Sequence, residues 1–369
     1  MKLFRFLTMA AAAMMLACAP EVDTPQPDPN NPDPPTPEPQ EEVYTLVADK
    51  EAIDADGKEK VTFSLVNSKG ENLCESDAGM VKITNKTTGL WLGYGKYDYT
   101  SVRNGEYEFS ANYRGYEAVN TVKVRVENRG KYEKYRQSVV IYKVTGAWCA
   151  FCPNMTESLH EAAEEWGDQM IVVGCHGGGQ DPFKLSPDVS EMLLVQYSST
   201  AYPSCIYDNN AFVSGAKDVE SVKKNIITQI SKYPSTCGVC ISKAEHSGTT
   251  LTVEASVASD KGGSYDVACV VLADGMEYSG GTEPSGIYNN VMMALSGSLN
   301  YYNKDKAVSI AAGGEEDFKF VFDNVPASMA SKCKVVVYAL VRDSRGQTIT
   351  DNAAVCRVGQ NMTGYLLND

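Results

Sequence analysis

Apolar and polar positions alternate with a period of two through much of residues 43–128. The runs Val61-Thr62-Phe63-Ser64-Leu65-Val66, Met80-Val81-Lys82-Ile83, Glu106 to Tyr113 and Thr121 to Val126 each place every second side chain on one face. Such alternation predicts short, half-buried strands. Turn signals at Asp56-Gly57, Lys69-Gly70 and Asn104-Gly105 separate them, so an all-β sandwich is expected over residues 43–130.

The rhythm then changes. After a polar connector, Lys131 to Arg136, an apolar run Val139-Val140-Ile141-Tyr142 reads as a buried strand. Leu159, Ala162, Ala163 and Trp166 follow at helical spacing, in a helix read as running from Cys149. A strand at Ile171 to Cys175, a helix through Val189, Met192, Leu193 and Tyr197, and a strand at Cys205-Ile206-Tyr207 come next. Asp208-Asn209-Asn210 predicts a hairpin turn into Ala211-Phe212-Val213, and Val219, Val222, Ile226, Ile227 and Ile230 a last helix. Strands alternating with helices predict an α/β domain over residues 131–235. Residues 236–369 return to strand patterns, at Cys240-Ile241, Leu251 to Val253, Val267 to Leu272, Phe318 to Phe322, Lys334 to Val341 and Ala353 to Cys356. A second β-sandwich is expected there. Met276 to Tyr302, rich in Gly, Ser, Asn and Tyr, interrupts it as a long excursion.

The N-terminal end does not belong to any of these. Lys2 and Arg5 precede an apolar stretch, Leu7 to Ala17, that is too short to be a membrane span. It ends at Met15-Leu16-Ala17-Cys18, which resembles a bacterial lipoprotein signal with Cys18 as the lipidated residue; an ordinary secretory signal is the alternative. Both readings take the protein out of the cytoplasm. Residues 18–42 carry proline at 20, 25, 27, 29, 32, 34, 35, 37 and 39 among acidic residues. This composition favours an extended, solvated tether. The net charge of −14, with no basic patch, argues against nucleic acid as a partner. The roughly 325 residues after the tether are too many for one ordinary core and suit several domains.

Trp148-Cys149-Ala150-Phe151-Cys152-Pro153 carries the chemistry. Two cysteines three positions apart, between a strand and a helix, resemble the dithiol of thioredoxin-like folds. The positive end of a helix favours thiolate, and a second cysteine one turn on can close a disulfide. Ala201-Tyr202-Pro203-Ser204 resembles the cis-proline strand that faces such a dithiol, so a cis Tyr202–Pro203 peptide in contact with Cys149 is expected. The resemblance implies Cys149 as the attacking thiolate, Cys152 as the resolving thiol, Trp148 as a wall and Pro203 as the substrate-side strand contact. His176 leaves the next strand toward the same crevice; it either tunes proton traffic there or is a solvated loop histidine. Thioredoxins that act as reductants carry a buried acid six residues before the first cysteine, but here that position is Lys143. An oxidant or isomerase is therefore expected, whether Lys143 lies beneath the dithiol or points to solvent.

Cys175 and Cys205 stand in apolar strands, where a thiol behaves as a small hydrophobe. Cys74 is expected in a polar loop. Cys237-Gly238-Val239-Cys240 is a second CxxC, but no tryptophan precedes it and no helix follows. Two further ligands for a zinc site are not apparent, and no metal or cofactor is expected. Ten cysteines remain beside Cys18, so other pairings stay open.

Gly105-x-Tyr107 followed by Tyr113 resembles the late strands of bacterial immunoglobulin-like modules. Taken whole, the chain resembles the Bacteroidetes outer-membrane lipoproteins of the Omp-twenty-eight-related family: leader, Pro-rich tether, immunoglobulin-like module, WCxxCP thioredoxin-like domain and C-terminal β-domain. That resemblance implies an outer-membrane lipoprotein held by its lipid, on either face. Two functions follow. One is a thiol–disulfide oxidoreductase acting on protein thiols or disulfides. The other is a binding or adhesion lipoprotein that uses the thioredoxin-like domain as a scaffold, as its flanking sandwiches would suit.

Overall fold

The computed structural model describes residues 42–127 and 134–368. The expected leader, Cys18 and all but the last residue of the tether lie outside the described residues, as does part of the connector. The alternating N-terminal segment forms strands β1 (Tyr44–Ala48), β2 (Ala52–Asp54), β3 (Val61–Asn67), β4 (Val81–Asn85), β5 (Leu90–Trp91), β6 (Asp98–Tyr99), β7 (Gly105–Tyr113), β8 (Tyr116–Glu117) and β9 (Val122–Glu127). They make two sheets, β1-β3-β6 and β2-β9-β7-β4-β5, with β8 on the edge of β7. Their inward residues, among them Leu46, Phe63, Leu65, Ile83, Phe109 and Val124, fill one core. Burying each such side chain is worth about 1.5–3 kcal/mol. Cys74 is not in a polar loop. It is buried in a helical turn, α1 (Leu73–Ser76), because Asn72 caps that turn and rolls Leu73 and Cys74 into the core.

The next elements are β10 (Val139–Thr145), α2 (Cys152–Trp166), β11 (Met170–His176), α3 (Val189–Gln196), β12 (Ser204–Tyr207), β13 (Ala211–Ser214) and α4 (Val219–Lys232). β10 runs parallel to β11 and antiparallel to β12, which pairs with β13 through the Asp208-Asn209 turn. The alternation along β10 decides what covers each face. Val139 and Ile141 meet Met155, Leu159, Ala162 and Trp166 of α2 and Val222 and Ile226 of α4. Val140, Tyr142 and Val144 point the other way, toward Leu193 and Leu194 of α3.

The last region contains β14 (Cys237–Ser247), β15 (Thr250–Ser259), β16 (Gly263–Ala273), β17 (Met276–Glu277), β18 (Ile287–Tyr288), β19 (Val291–Ser296), β20 (Val308–Ile310), β21 (Gly314–Phe322), α5 (Ala327–Ala330), β22 (Cys333–Arg342) and β23 (Thr348–Arg357). β16, β22 and β23 continue the first sheet through β19, giving the order β13-β12-β10-β11-β19-β16-β22-β23, with β20 on β16. The boundary drawn at residue 235 thus separates strands that share one sheet. The junction is a single parallel step, Gly174 to Val291, where the Gly174 N–H donates to the Asn290 carbonyl at 2.8 Å. A Cβ at Gly174 would stand 2.7 Å from that oxygen, so only glycine fits.

The near-continuous apolar reading of β16 and β22 has its cause here, since both faces of these strands are buried. Val267, Cys269 and Val271 face a core shared with the β14-β15-β21 sheet, while Ala268, Val270 and Leu272 face the core that holds Tyr142 and Leu193. Val43–Asp369 accordingly forms one compact, β-rich, multi-sheet unit.

Candidate functional site

Cys149 and Cys152 are joined by a disulfide, with their Cα atoms 5.4 Å apart. The helix opens at Cys152 and not at Cys149 as expected, with Pro153 in its first turn. Cys149 instead sits in the preceding turn, fixed by Cys149 N–H to Gly146 O at 3.0 Å and Cys152 N–H to Cys149 O at 3.1 Å. Both cysteines are buried, at 4% and 3% exposure.

Trp148 stands 48% exposed beside them. Its indole N–H donates to the carbonyls of Gly177 at 3.0 Å and Gly178 at 3.2 Å, in the loop that follows β11. Its ring packs on Tyr202 with centroids 5.0 Å apart, and the Tyr202–Pro203 peptide is cis. The proline strand expected opposite the dithiol therefore touches the tryptophan beside it. A second cis peptide, Ser186–Pro187, had no signal in the sequence reading. The Tyr202 hydroxyl bonds Ser190 Oγ at 2.6 Å, Ser190 donates to Asp188 at 2.7 Å, and Asp188 accepts the Gly178 N–H at 3.0 Å. Partial burial pushes the Asp188 carboxyl up. Hydrogen bonds from Ser190, Gly178 and Glu191 outweigh this and hold it below the usual carboxylate range.

His176 ends β11 and is buried, so it is not a solvated loop histidine. Its Nδ1 lies 3.0 Å from Asp181 Oδ2, and the same oxygen accepts the Ala147 N–H at 2.6 Å. Asp181 Oδ1 accepts the Phe183 N–H at 2.8 Å. Phe183 and Tyr288 pack edge-on against the imidazole. His176 is thus linked through Asp181 to the turn that carries the cysteines.

Lys143 points beneath the dithiol end of α2. Its Nζ donates to Thr156 Oγ1, and the Thr156 hydroxyl donates to Cys152 O at 3.1 Å. Burial pushes the ammonium down to about 8, with the Cys205 thiol and the Glu283 carboxylate opposing the fall. Cys175 and Cys205 are buried free thiols, and burial pushes Cys205 up to about 12. Cys237 and Cys240 lie in β14 as free, buried thiols. Among the described residues no group of three His, Cys, Asp or Glu could hold a metal ion.

Three groups escaped the sequence reading. Asp181 and Asp188 follow the glycine-rich loop but carry no spacing motif. Thr282 comes from the excursion between β17 and β18, more than a hundred residues on. Its N–H donates to Ala147 O at 2.8 Å, and its hydroxyl to Cys149 O at 2.8 Å. Gly280-Gly281 before it was the available signal: a Cβ at Gly281 would stand 2.9 Å from Ala147 O.

No family model matches the chain, and no curated protein matches it. Among solved structures it is similar to HBP35 of Porphyromonas gingivalis, with 16% identity and a TM-score of 0.50 over 62% of this chain and 77% of that one. A protein of Agrobacterium tumefaciens matches with 14% identity and a TM-score of 0.44, over 62% of this chain and 98% of that one. At these identities the likeness to HBP35 is one of fold, to a protein from the Bacteroidetes.

Proposed function

We propose that this chain is a lipid-anchored thiol–disulfide oxidoreductase of the bacterial envelope, working as an oxidant or isomerase through Cys149 and Cys152. In this reading residues 131–235 are a thioredoxin-like domain carried between two β-sandwiches, and the chain is related to the Omp-twenty-eight-related lipoproteins. The observation that carries it is the Cys149–Cys152 disulfide at the start of α2, beside a tryptophan that packs on the residue preceding a cis-proline.

The chemistry is a two-electron exchange. A substrate thiolate attacks Cys149 Sγ, a substrate–Cys149 bond forms, and the Cys149–Cys152 bond breaks with Cys152 leaving as thiolate. A second substrate thiolate then attacks the substrate sulfur and releases Cys149. The substrate gains a disulfide and the protein becomes a dithiol. The N-terminus of α2 carries partial positive charge at Cys152, and Lys143 lies under the same turn. Both stabilise the leaving thiolate, and a stabilised dithiol makes a stronger oxidant.

The test is the equilibrium potential of the Cys149–Cys152 couple against glutathione. A value in the range of roughly −120 to −180 mV supports the reading, and one near about −270 mV with fast insulin reduction overturns it. Anchoring is tested separately: Cys18→Ala should move the protein from membranes to a soluble envelope fraction, and lipid labelling that survives the substitution excludes Cys18 as the acylated residue. The burial of both cysteines favours a second reading, in which the disulfide is structural and the chain is a binding lipoprotein. A couple that resists reduction at every glutathione ratio would select it.

A further inference from the structure

We propose that residues 278–286 occupy the place of substrate backbone at the dithiol, so that the site takes extended polypeptides bearing a cysteine in preference to small thiols. This rests on the redox reading above.

The carbonyls of Ala147 and Cys149 flank Trp148, and both are already engaged. Ala147 O accepts the Thr282 N–H at 2.8 Å and the Thr282 hydroxyl at 3.2 Å; Cys149 O accepts the same hydroxyl at 2.8 Å. A main-chain N–H on a main-chain carbonyl is the contact that an incoming extended peptide makes. With the segment in place Cys149 is 4% exposed, and in this proposal displacing Thr282 from the Cys149 and Ala147 carbonyls opens the turn to an incoming thiol.

The segment is built to be displaced. It hangs from two two-residue strands, β17 and β18, and its internal main-chain bonds are Tyr278 N–H to Gly286 O and Gly286 N–H to Glu283 O, both at 2.9 Å. Ser279, Gly280, Pro284 and Ser285 are exposed. Tyr278 packs on Phe183 at the base of the segment, but no side chain from Ser279 to Ser285 is buried, and such exposure marks a stretch of low local stability. When it leaves, Ala147 O loses both Thr282 donors and Cys149 O keeps only the Cys152 N–H. A polypeptide supplies a new N–H to Ala147 O, whereas a small thiol without amides supplies none. The polypeptide therefore recovers part of what opening costs.

The experiment compares reduction of the oxidised protein by dithiothreitol and by an unstructured peptide with one cysteine, in the parent chain and in Thr282→Val and Thr282→Pro. Thr282→Val removes the two hydroxyl bonds, and Thr282→Pro removes these and the N–H donor as well. Near-UV circular dichroism establishes that each variant is folded. Opening is common to both reductants, so both should reduce the variants faster, on the order of fivefold for each bond lost, and in each protein the peptide should attack faster per thiolate than dithiothreitol. Parent-like dithiothreitol rates in both folded variants would overturn the proposal, as would a peptide that attacks no faster per thiolate than dithiothreitol. Acceleration by dithiothreitol without any peptide mixed disulfide would instead overturn the redox reading, and the preference with it.

Discussion

Lys143 Nζ is hydrogen-bonded to Thr156 Oγ1, one helical turn past Cys152, and so places a basic group under the first turn of α2. Its pKa is lowered from 10.5 to about 8 by burial. The unfolded chain therefore binds the proton more tightly than the folded one. Below pH 8 both states carry it, and the full cost of burying the ammonium is present. Between about 8 and 10.5 the folded state has released the proton and the unfolded state has not, so stability rises with pH across that window. Lys143→Met should flatten this slope. The check is urea unfolding from pH 7 to 11, compared between parent and variant; parallel curves would place the origin of the slope elsewhere.

Asp181 holds three partners at once: His176, the Ala147 N–H and the Phe183 N–H. Asp181→Ala leaves these buried groups without an acceptor, each at a cost of about 1–3 kcal/mol. We expect a loss of roughly 3 kcal/mol in chemical denaturation, and faster alkylation of reduced Cys149 as its turn loosens. A variant with parent-like stability and alkylation would show that Asp181 does not position the turn.

Asp351 is buried where β14 begins and accepts the N–H groups of Thr236 at 2.8 Å and Cys237 at 3.0 Å and the Thr236 hydroxyl at 3.1 Å. Burial raises its pKa above 3.8 despite these donors. The folded state thus binds the proton more tightly, and this group's contribution to stability rises as pH falls from the folded value toward 3.8. Asp351→Asn turns an amide toward donors and should cost about 1–3 kcal/mol at pH 7. The gap from the parent should widen as pH falls, because the parent gains this contribution and the amide does not titrate. Thermal melts of both proteins from pH 4 to 7 test this.

Local signals in the sequence reported local structure. The Cys149–Cys152 spacing, Trp148 and Pro203 were legible because each constrains its neighbours directly, and the cis peptide expected at Pro203 is present. The long apolar runs of β16 and β22 were read as strands for the same reason. The partners of those strands were not legible. Periodicity says that both faces of β16 are buried but not that β19 bridges it to β11 through Gly174. His176 stayed open between a residue of the crevice and a solvated one because its acceptor, Asp181, lies across a glycine turn with no periodic signal. Thr282 was hidden by distance in sequence, since its hydrogen bond spans 133 residues and the neighbouring Gly280-Gly281 marks a close approach without naming its partner.

The last expectation concerns the two sulfurs themselves. If Cys149 is the attacked atom and Cys152 the leaving group, removing Cys152 leaves any bond between Cys149 and a substrate without its resolving thiol. Cys152→Ala should then accumulate mixed disulfides in the envelope, visible as reductant-sensitive bands of higher mass and absent from a Cys149→Ala, Cys152→Ala double variant. The eight other described cysteines are buried free thiols and should not form such bonds in the folded chain. Trapping should also strengthen when Thr282→Val is added, because Cys149 becomes easier to reach. Bands that persist in the double variant would trace the exchange to another thiol. Their absence in the single variant under conditions where Cys149 can be alkylated would mean that the pair closes a structural loop and exchanges with nothing.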